Sequence, residues 1–435
     1  MTESSPRQRR RLTATVTDLD RVRQKALLVG VAIAGESMAE AERSLSELAL
    51  LVDTAGADPV DSEVVRRDSI DPALFIGSGK ARELADLSRS QDIDAVVFDN
   101  ALTPAQQRNL QKLFEVDVVD REALILDIFA QHATSRTGAI QVELALLRYN
   151  LPRLRGKGVS LSQQTGGIGA RRGPGETKLE TDRRRIEQRI TRLERDLKEV
   201  NRNRATQSKE RIRSGLPIAS LVGYTNAGKS TLLNQLTGAG VLAEDRLFST
   251  LDSTVRKFRL PSGQTLLLSD TVGFVRRLPH RLVEAFRSTL DQVKEASLLL
   301  HLVDASDPDP ERQLEAVHTV LAEIGAADVP ELIIFNKVDQ ADPAILQRLR
   351  NLHPDGIAVS ALTGEGVDDL AAALSDRLER NFASVTLVIP YERGDLVAAA
   401  HKAGDVIVEK HDDHGTTLEV RLPRESVATF AEFIR

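Results

Sequence analysis

The nine residues GYTNAGKST, Gly223 to Thr231, constrain this chain more than any other stretch. They fit the pattern G-x-x-x-x-G-K-[ST], with an apolar run, LPIASLVG, leading in and an amphipathic run, KSTLLNQLTG, leading out. Strand, loop and helix in that order are the context in which the pattern forms a phosphate cradle. Backbone N–H groups along Gly223, Tyr224, Thr225, Asn226, Ala227 and Gly228 are expected to surround the phosphates. Lys229 would supply a point charge to the β- and γ-phosphates, and Ser230, followed by Thr231 on the same helix, would offer a hydroxyl to Mg2+. The segment therefore calls for an α/β sheet built around it.

A cradle does not choose a base, so the selection must lie elsewhere. The stretch LIIFNKVD ends in Asn336, Lys337 and Asp339. At that spacing the Asp339 carboxylate can accept both the N1–H and the 2-amino group of guanine, donors that adenine does not present together. VSALTGEG then brings the backbone of Ser360, Ala361 and Leu362 to a strand end, where it can approach the base carbonyl. The nucleotide expected is GTP.

Two further segments concern the γ-phosphate. LLLSDTVGF places Asp270 at a strand end, to hold Mg2+ through water, and Gly273 where its N–H faces the phosphate. RLFSTLDSTVR offers Thr250 as the second hydroxyl ligand of the ion, with Thr254 the weaker candidate. Lys229, Thr250 and Gly273 form the expected catalytic set, in segments of the kind that order around Mg2+ and a γ-phosphate and relax on hydrolysis. Many GTPases follow the glycine with a water-orienting glutamine, but here Phe274 follows Gly273. A phenyl ring cannot orient water by hydrogen bonding, so either intrinsic hydrolysis is slow or a partner supplies the missing group. Asn226 is a candidate for holding K+ beside the phosphates, as an asparagine there does in related GTPases.

Upstream, apolar runs alternate with amphipathic ones from KALLVGVAI (Lys25 to Ile33) onward: SMAEAERSLSELALL as helix, ALFIGSG as strand and turn, KARELADLSRS as helix, DAVVFDN as strand, TPAQQRNLQKLF as helix, VDVVD as strand and a last helix through Ala130. This predicts an α/β domain over 25–132 behind a disordered basic tail, 1–24. IGSGKARELA within it imitates a second phosphate loop. It has Leu74 where a glycine is needed and Ala81 where the hydroxyl should be, so a glycine turn is the better reading.

The net charge of −6 conceals an uneven distribution. Between Arg153 and Arg213 there are 18 Lys plus Arg against 8 Asp plus Glu, an excess of +10 that leaves −16 for the remainder. Ile140, Leu144, Leu147 and Leu151 share one helical face, and Leu179, Ile186, Ile190, Leu193, Leu197 and Val200 another, interrupted at Arg183. Residues 133–214 are thus expected to form an antiparallel helical hairpin whose connection, SLSQQTGGIGARRGPGETKLE, is rich in glycine and carries Arg171 and Arg172. A long basic loop of this kind favours RNA contact over a plain solvated connector. With no cysteine or tryptophan and 3% aromatic residues, thiolate chemistry is excluded and base-stacking platforms are not expected. No run is long enough to cross a bilayer, and the N-terminus lacks the apolar centre of a secretory signal.

GIGARRGPGETKLE and GPGETKLETDRR, with FIGSGK in the N-terminal part and the guanine-nucleotide motifs over 215–383, closely resemble the HflX family of translation-factor-related GTPases. The resemblance implies a cytoplasmic, monomeric GTPase that binds the large (50S) subunit and the 70S ribosome, including its rRNA, and splits or rescues stalled ribosomes under stress. It sets Arg171 and Arg172 near rRNA and allows association with the inner membrane surface. Some members are also implied to bind ATP through the N-terminal domain and remodel RNA. A GTP-regulated RNA or ribosome-assembly module and an ATP-driven RNA remodeller remain as alternatives. The tail, 384–435, reads as a small α/β unit in which DVIVEK and TLEVRL face each other across HDDHG, with His411 and His414 in a solvated turn rather than a metal site.

Overall fold

The computed structural model describes residues 23–154, 174–213, 216–238, 247–248, 254–276, 287–380, 382–412 and 415–435. Two compact units emerge: one from the N-terminal segment up to Gln131 with 146–187, the other from 132–145 with 188–435. Thr250, Arg171, Arg172 and His414 lie outside the described residues.

The first unit holds β1 (Gln24–Ile33), α1 (Met38–Thr54), β2 (Ala57–Arg67), α2 (Ser78–Ser90), β3 (Ala95–Phe98), α3 (Pro104–Phe114), β4 (Asp117–Asp120) and α4 (Arg121–His132). Its sheet runs β2-β1-β3-β4, parallel throughout. Local chemistry sets the helix starts. Ser37 accepts from the Glu40 N–H, and Thr103 and Gln106 form a reciprocal capping box with Pro104 in the first turn.

One expected strand is corrected. ALFIGSG is not a strand: the Asp71 carboxylate accepts from the N–H groups of Ala73 and Leu74, and Phe75 pairs back to Asp71 at φ 66°. Phe75 and Ile76 turn into the core as a plug. The second strand is Ala57–Arg67, ADPVDSEVVRR, whose proline and alternating charges suit an edge and disguise it in the sequence.

Helix α5 (Arg136–Asn150) and the 40-residue helix Pro174–Arg213 follow. Leu144 and Leu193 are buried, and Ile186, Ile190, Leu197 and Val200 are half-buried along one stripe. Arg189 holds Glu143 through two hydrogen bonds of 2.7 and 2.8 Å.

The nucleotide-binding motifs fall on a six-stranded sheet of β5 (Ile218–Gly223), β6 (Val255–Arg259), β7 (Thr265–Asp270), β8 (Leu298–Asp304), β9 (Glu331–Asn336) and β10 (Ile357–Ala358). The order is β10-β9-β8-β5-β7-β6, with β6 alone antiparallel. Near-continuous apolar strands such as LLLHLVD are buried on both faces, as a parallel sheet clad in helices requires. β5 has β8 on one side and β7 on the other, so the crevice beyond its carboxyl end is where such a sheet binds a ligand.

The C-terminal part is a three-stranded antiparallel sheet, β11 (Phe382–Ile389), β13 (Gly415–Pro423) and β12 (Asp405–Asp412) in spatial order, packed on helix Gly394–Ala403 and Phe430. DVIVEK and TLEVRL face each other as expected, and His411 contacts Thr416, Glu409 and the ring of Tyr391. Among the described residues no helix is long and apolar enough to cross a membrane.

Candidate functional site

The cradle is the turn from β5 into helix Lys229–Thr237. Asn226 takes a left-handed φ of 59° and Gly228 a φ of 91°, so the loop curls back over the end of β5. At Gly228 a Cβ would collide with the Asn336 amide, so glycine is required for contact as well as conformation. Lys229 is 6% exposed and donates to the carbonyls of Gly223 (3.2 Å) and Tyr224 (2.7 Å). Burial lowers its pKa to about 8, opposed by the charge of Asp270. The Ser230 hydroxyl donates to the fully buried Asp270 carboxylate at 2.7 Å. Thr231 is half-buried on the same helix. A hydroxyl and a carboxylate side by side next to a buried lysine form an oxygen donor pair suited to Mg2+, a hard cation.

Gly273 and Phe274 are stitched to this loop. The Phe274 carbonyl accepts from the Thr225 N–H (2.7 Å), and the Phe274 N–H donates to the Gly223 carbonyl (3.1 Å). The Arg276 N–H donates to the Tyr224 hydroxyl (2.7 Å), a contact with no signature in the motif. A Cβ on Gly273 would stand 2.9 Å from Thr225 Cα and 3.1 Å from Lys229 Nζ, so the bare backbone is what lets this segment approach the cradle. The Phe274 ring is 1% exposed and packs with Val222, Leu299, Val317 and Leu321 in the core. The Thr254 carbonyl accepts from the Asp270 N–H (2.9 Å), and its buried hydroxyl has no hydrogen-bond partner among the described residues.

The base end is organised by Asn336. Its amide donates to the Ala227 carbonyl (2.7 Å), and its oxygen accepts from the Ala361 N–H (2.9 Å), so one side chain spans the phosphate loop and the VSALTGEG loop. Lys337, at φ 62°, pairs with Asp304 at 2.7 Å. Asp339 is exposed, and the Ser360 hydroxyl holds its carboxyl below the usual range. Ser360 is buried and Leu362 is 73% exposed. The site thus offers a buried cation and loop amides at one end and an unburied carboxylate at the other.

The imitation loop in the first unit lacks these features. Lys80 is held between Glu63 (2.7 Å) and Glu83 (2.8 Å), which satisfy its charge, and Ala81 is buried.

Comparison with known proteins agrees with this geometry. Residues 42–130, 132–211, 218–337 and 344–431 match, in turn, families described as GTP-binding GTPase N-terminal, GTP-binding GTPase Middle Region, 50S ribosome-binding GTPase and HflX C-terminal domain. The GTPase HflX of Lacrimispora saccharolytica is 43% identical over 416 residues, covering 95% of this chain and 97% of its own. That of Escherichia coli K12 is 43% identical over 383 residues, covering 87% and 89%. Among solved structures, the complex of SsGBP with GDP aligns over 82% of this chain and 98% of its own at 23% identity, with a TM-score of 0.47. On the extent and level of this identity to curated relatives, the chain belongs to the HflX family of GTPases.

Proposed function

We propose that this chain is a cytoplasmic, ribosome-dependent GTPase that binds the large subunit and splits or rescues stalled 70S ribosomes under stress. The observation that carries the proposal is the buried Phe274 ring: a well-formed nucleotide site has an apolar core residue where the attacking water would need a hydrogen-bonding partner. The ribosome is the partner that would complete it, in keeping with the description of the family matched over 218–337.

In this reading the loop amides and Lys229 hold the phosphates, and Asn336, Asp339, Ser360 and Ala361 select guanine. Gly273 presents its N–H to the γ-phosphate. Ser230, Asp270 and Thr250 would hold Mg2+, which when bound neutralises charge on the phosphates. Asn226 would help hold K+ beside the phosphates. Arg171 and Arg172, with the basic helix that follows, would meet rRNA through its phosphates. Hydrolysis moves Gly273 relative to the cradle when the γ-phosphate leaves.

The test is GTP turnover with and without large subunits, together with sucrose-gradient profiles of 70S ribosomes in GTP, a non-hydrolysable analogue or neither. Strong stimulation and nucleotide-dependent loss of the 70S peak are expected. A profile that no nucleotide shifts defeats the splitting role, and turnover that ignores subunits defeats the reading of Phe274.

A further inference from the structure

On the sheet face beneath helix Pro310–Ile324, three side chains from three elements converge. His301 lies within β8, Glu331 opens β9, and His318 stands on the helix. Register pairs Leu299 with Glu331 and His301 with Ile333, so the two-residue period of the strands sets His301 and Glu331 on one face. The Glu331 carboxylate sits between the imidazoles: Oε1 is 2.5 Å from His301 Nδ1, and Oε2 is 3.0 Å from His318 Nε2. All three ligand atoms lie within 4.8 Å of one another.

A purely structural role accounts poorly for His301. It is 1% exposed in a strand of aliphatic neighbours, where a leucine would pack without any polar atom to satisfy, and its Nδ1 is turned toward the Glu331 carboxylate.

The geometry points to a site for one zinc-class divalent cation, bound by His301 Nδ1, His318 Nε2 and a Glu331 carboxylate oxygen. Two imidazoles and one carboxylate are a donor set that zinc accepts, with the fourth position left to water. Bonds of about 2.0–2.1 Å in a tetrahedron put ligand atoms about 3.3 Å apart. Glu331 Oε1 is 2.5 Å from His301 Nδ1 and 3.2 Å from His318 Nε2, both within about 1 Å of that spacing, so small side-chain rotations admit the ion. His318, 44% exposed, gives it a path in from solvent, and hard cations that prefer all-oxygen shells are disfavoured. The ion would pin the helix to the two strands that carry Asp304 and Asn336 to the base end of the nucleotide site.

The experiment uses the untagged full-length chain, stripped by a chelator and then saturated with GDP and Mg2+ to occupy the nucleotide site. Titration with Co2+ should give the visible absorption of a tetrahedral ion, and Zn2+ should displace it at one per chain. His318→Ala and Glu331→Gln should each weaken Zn2+ binding by about tenfold or more, with GDP affinity within about twofold of the parent as proof of folding. Failure of the parent chain to take up Zn2+ stoichiometrically, or uptake unchanged in both variants, overturns the site.

Discussion

Nucleotide binding should take up a proton at mildly alkaline pH, because of Lys229. Without phosphate its ammonium is buried against two carbonyls and its pKa falls to about 8. Phosphate oxygens would return it to the ordinary lysine range, about 10. From those two values the free chain holds Lys229 about one-quarter neutral at pH 7.5 and about three-quarters neutral at pH 8.5. The complex holds it charged at both. The sign follows: the bound state carries more protons, so affinity falls as pH rises between these values. GDP should bind about threefold more weakly at pH 8.5 than at pH 7.5, about 0.7 kcal/mol, and proton uptake should grow from about 0.25 to about 0.75 per site. Calorimetry in two buffers of different ionisation enthalpy reads that uptake directly, above the range in which the terminal phosphate titrates. Equal uptake at both pH values, with unchanged affinity, would refute the assignment of a depressed pKa to this lysine.

Phe274→Gln should not create a self-sufficient enzyme. The new amide would enter an apolar core, so single-turnover hydrolysis stays within about threefold of the parent while urea unfolding shows a loss of about 2–4 kcal/mol; a tenfold faster rate would show that the side chain reaches the phosphates. Asn336→Ala strands the Ala227 carbonyl and the Ala361 N–H, at about 1–3 kcal/mol each, and should weaken fluorescent-GDP binding by about 100-fold or more. Arg189→Ala removes an ion pair whose side chains are 45% and 42% exposed and well screened by solvent, so the urea midpoint should stay within experimental scatter of the parent, and a clear drop would refute this.

What the sequence made legible was whatever depends on a fixed local spacing. Gly228, Lys229 and Ser230 fall where the motif puts them because a strand, a turn and a helix permit little else, and Asn336 follows from its place at a strand end. Phe274 could be identified, yet its direction could not, because inward packing depends on helices that arrive later in the chain. β2 carries no legible strand signal for an energetic reason: as an edge strand it buries only part of its length and needs no apolar alternation. The cluster of His301, His318 and Glu331 has no sequence pattern, since its members are joined by strand register and helix placement rather than spacing.

Asn336 has a consequence for how the nucleotide departs. Because the same amide braces the loop expected around the phosphates and the loop beside the base, the two loops are linked through one side chain. Loosening either loop breaks one of the two hydrogen bonds that fix this side chain and so weakens the anchor of the other loop. Opening of either end of the site during nucleotide release therefore draws on the same residue.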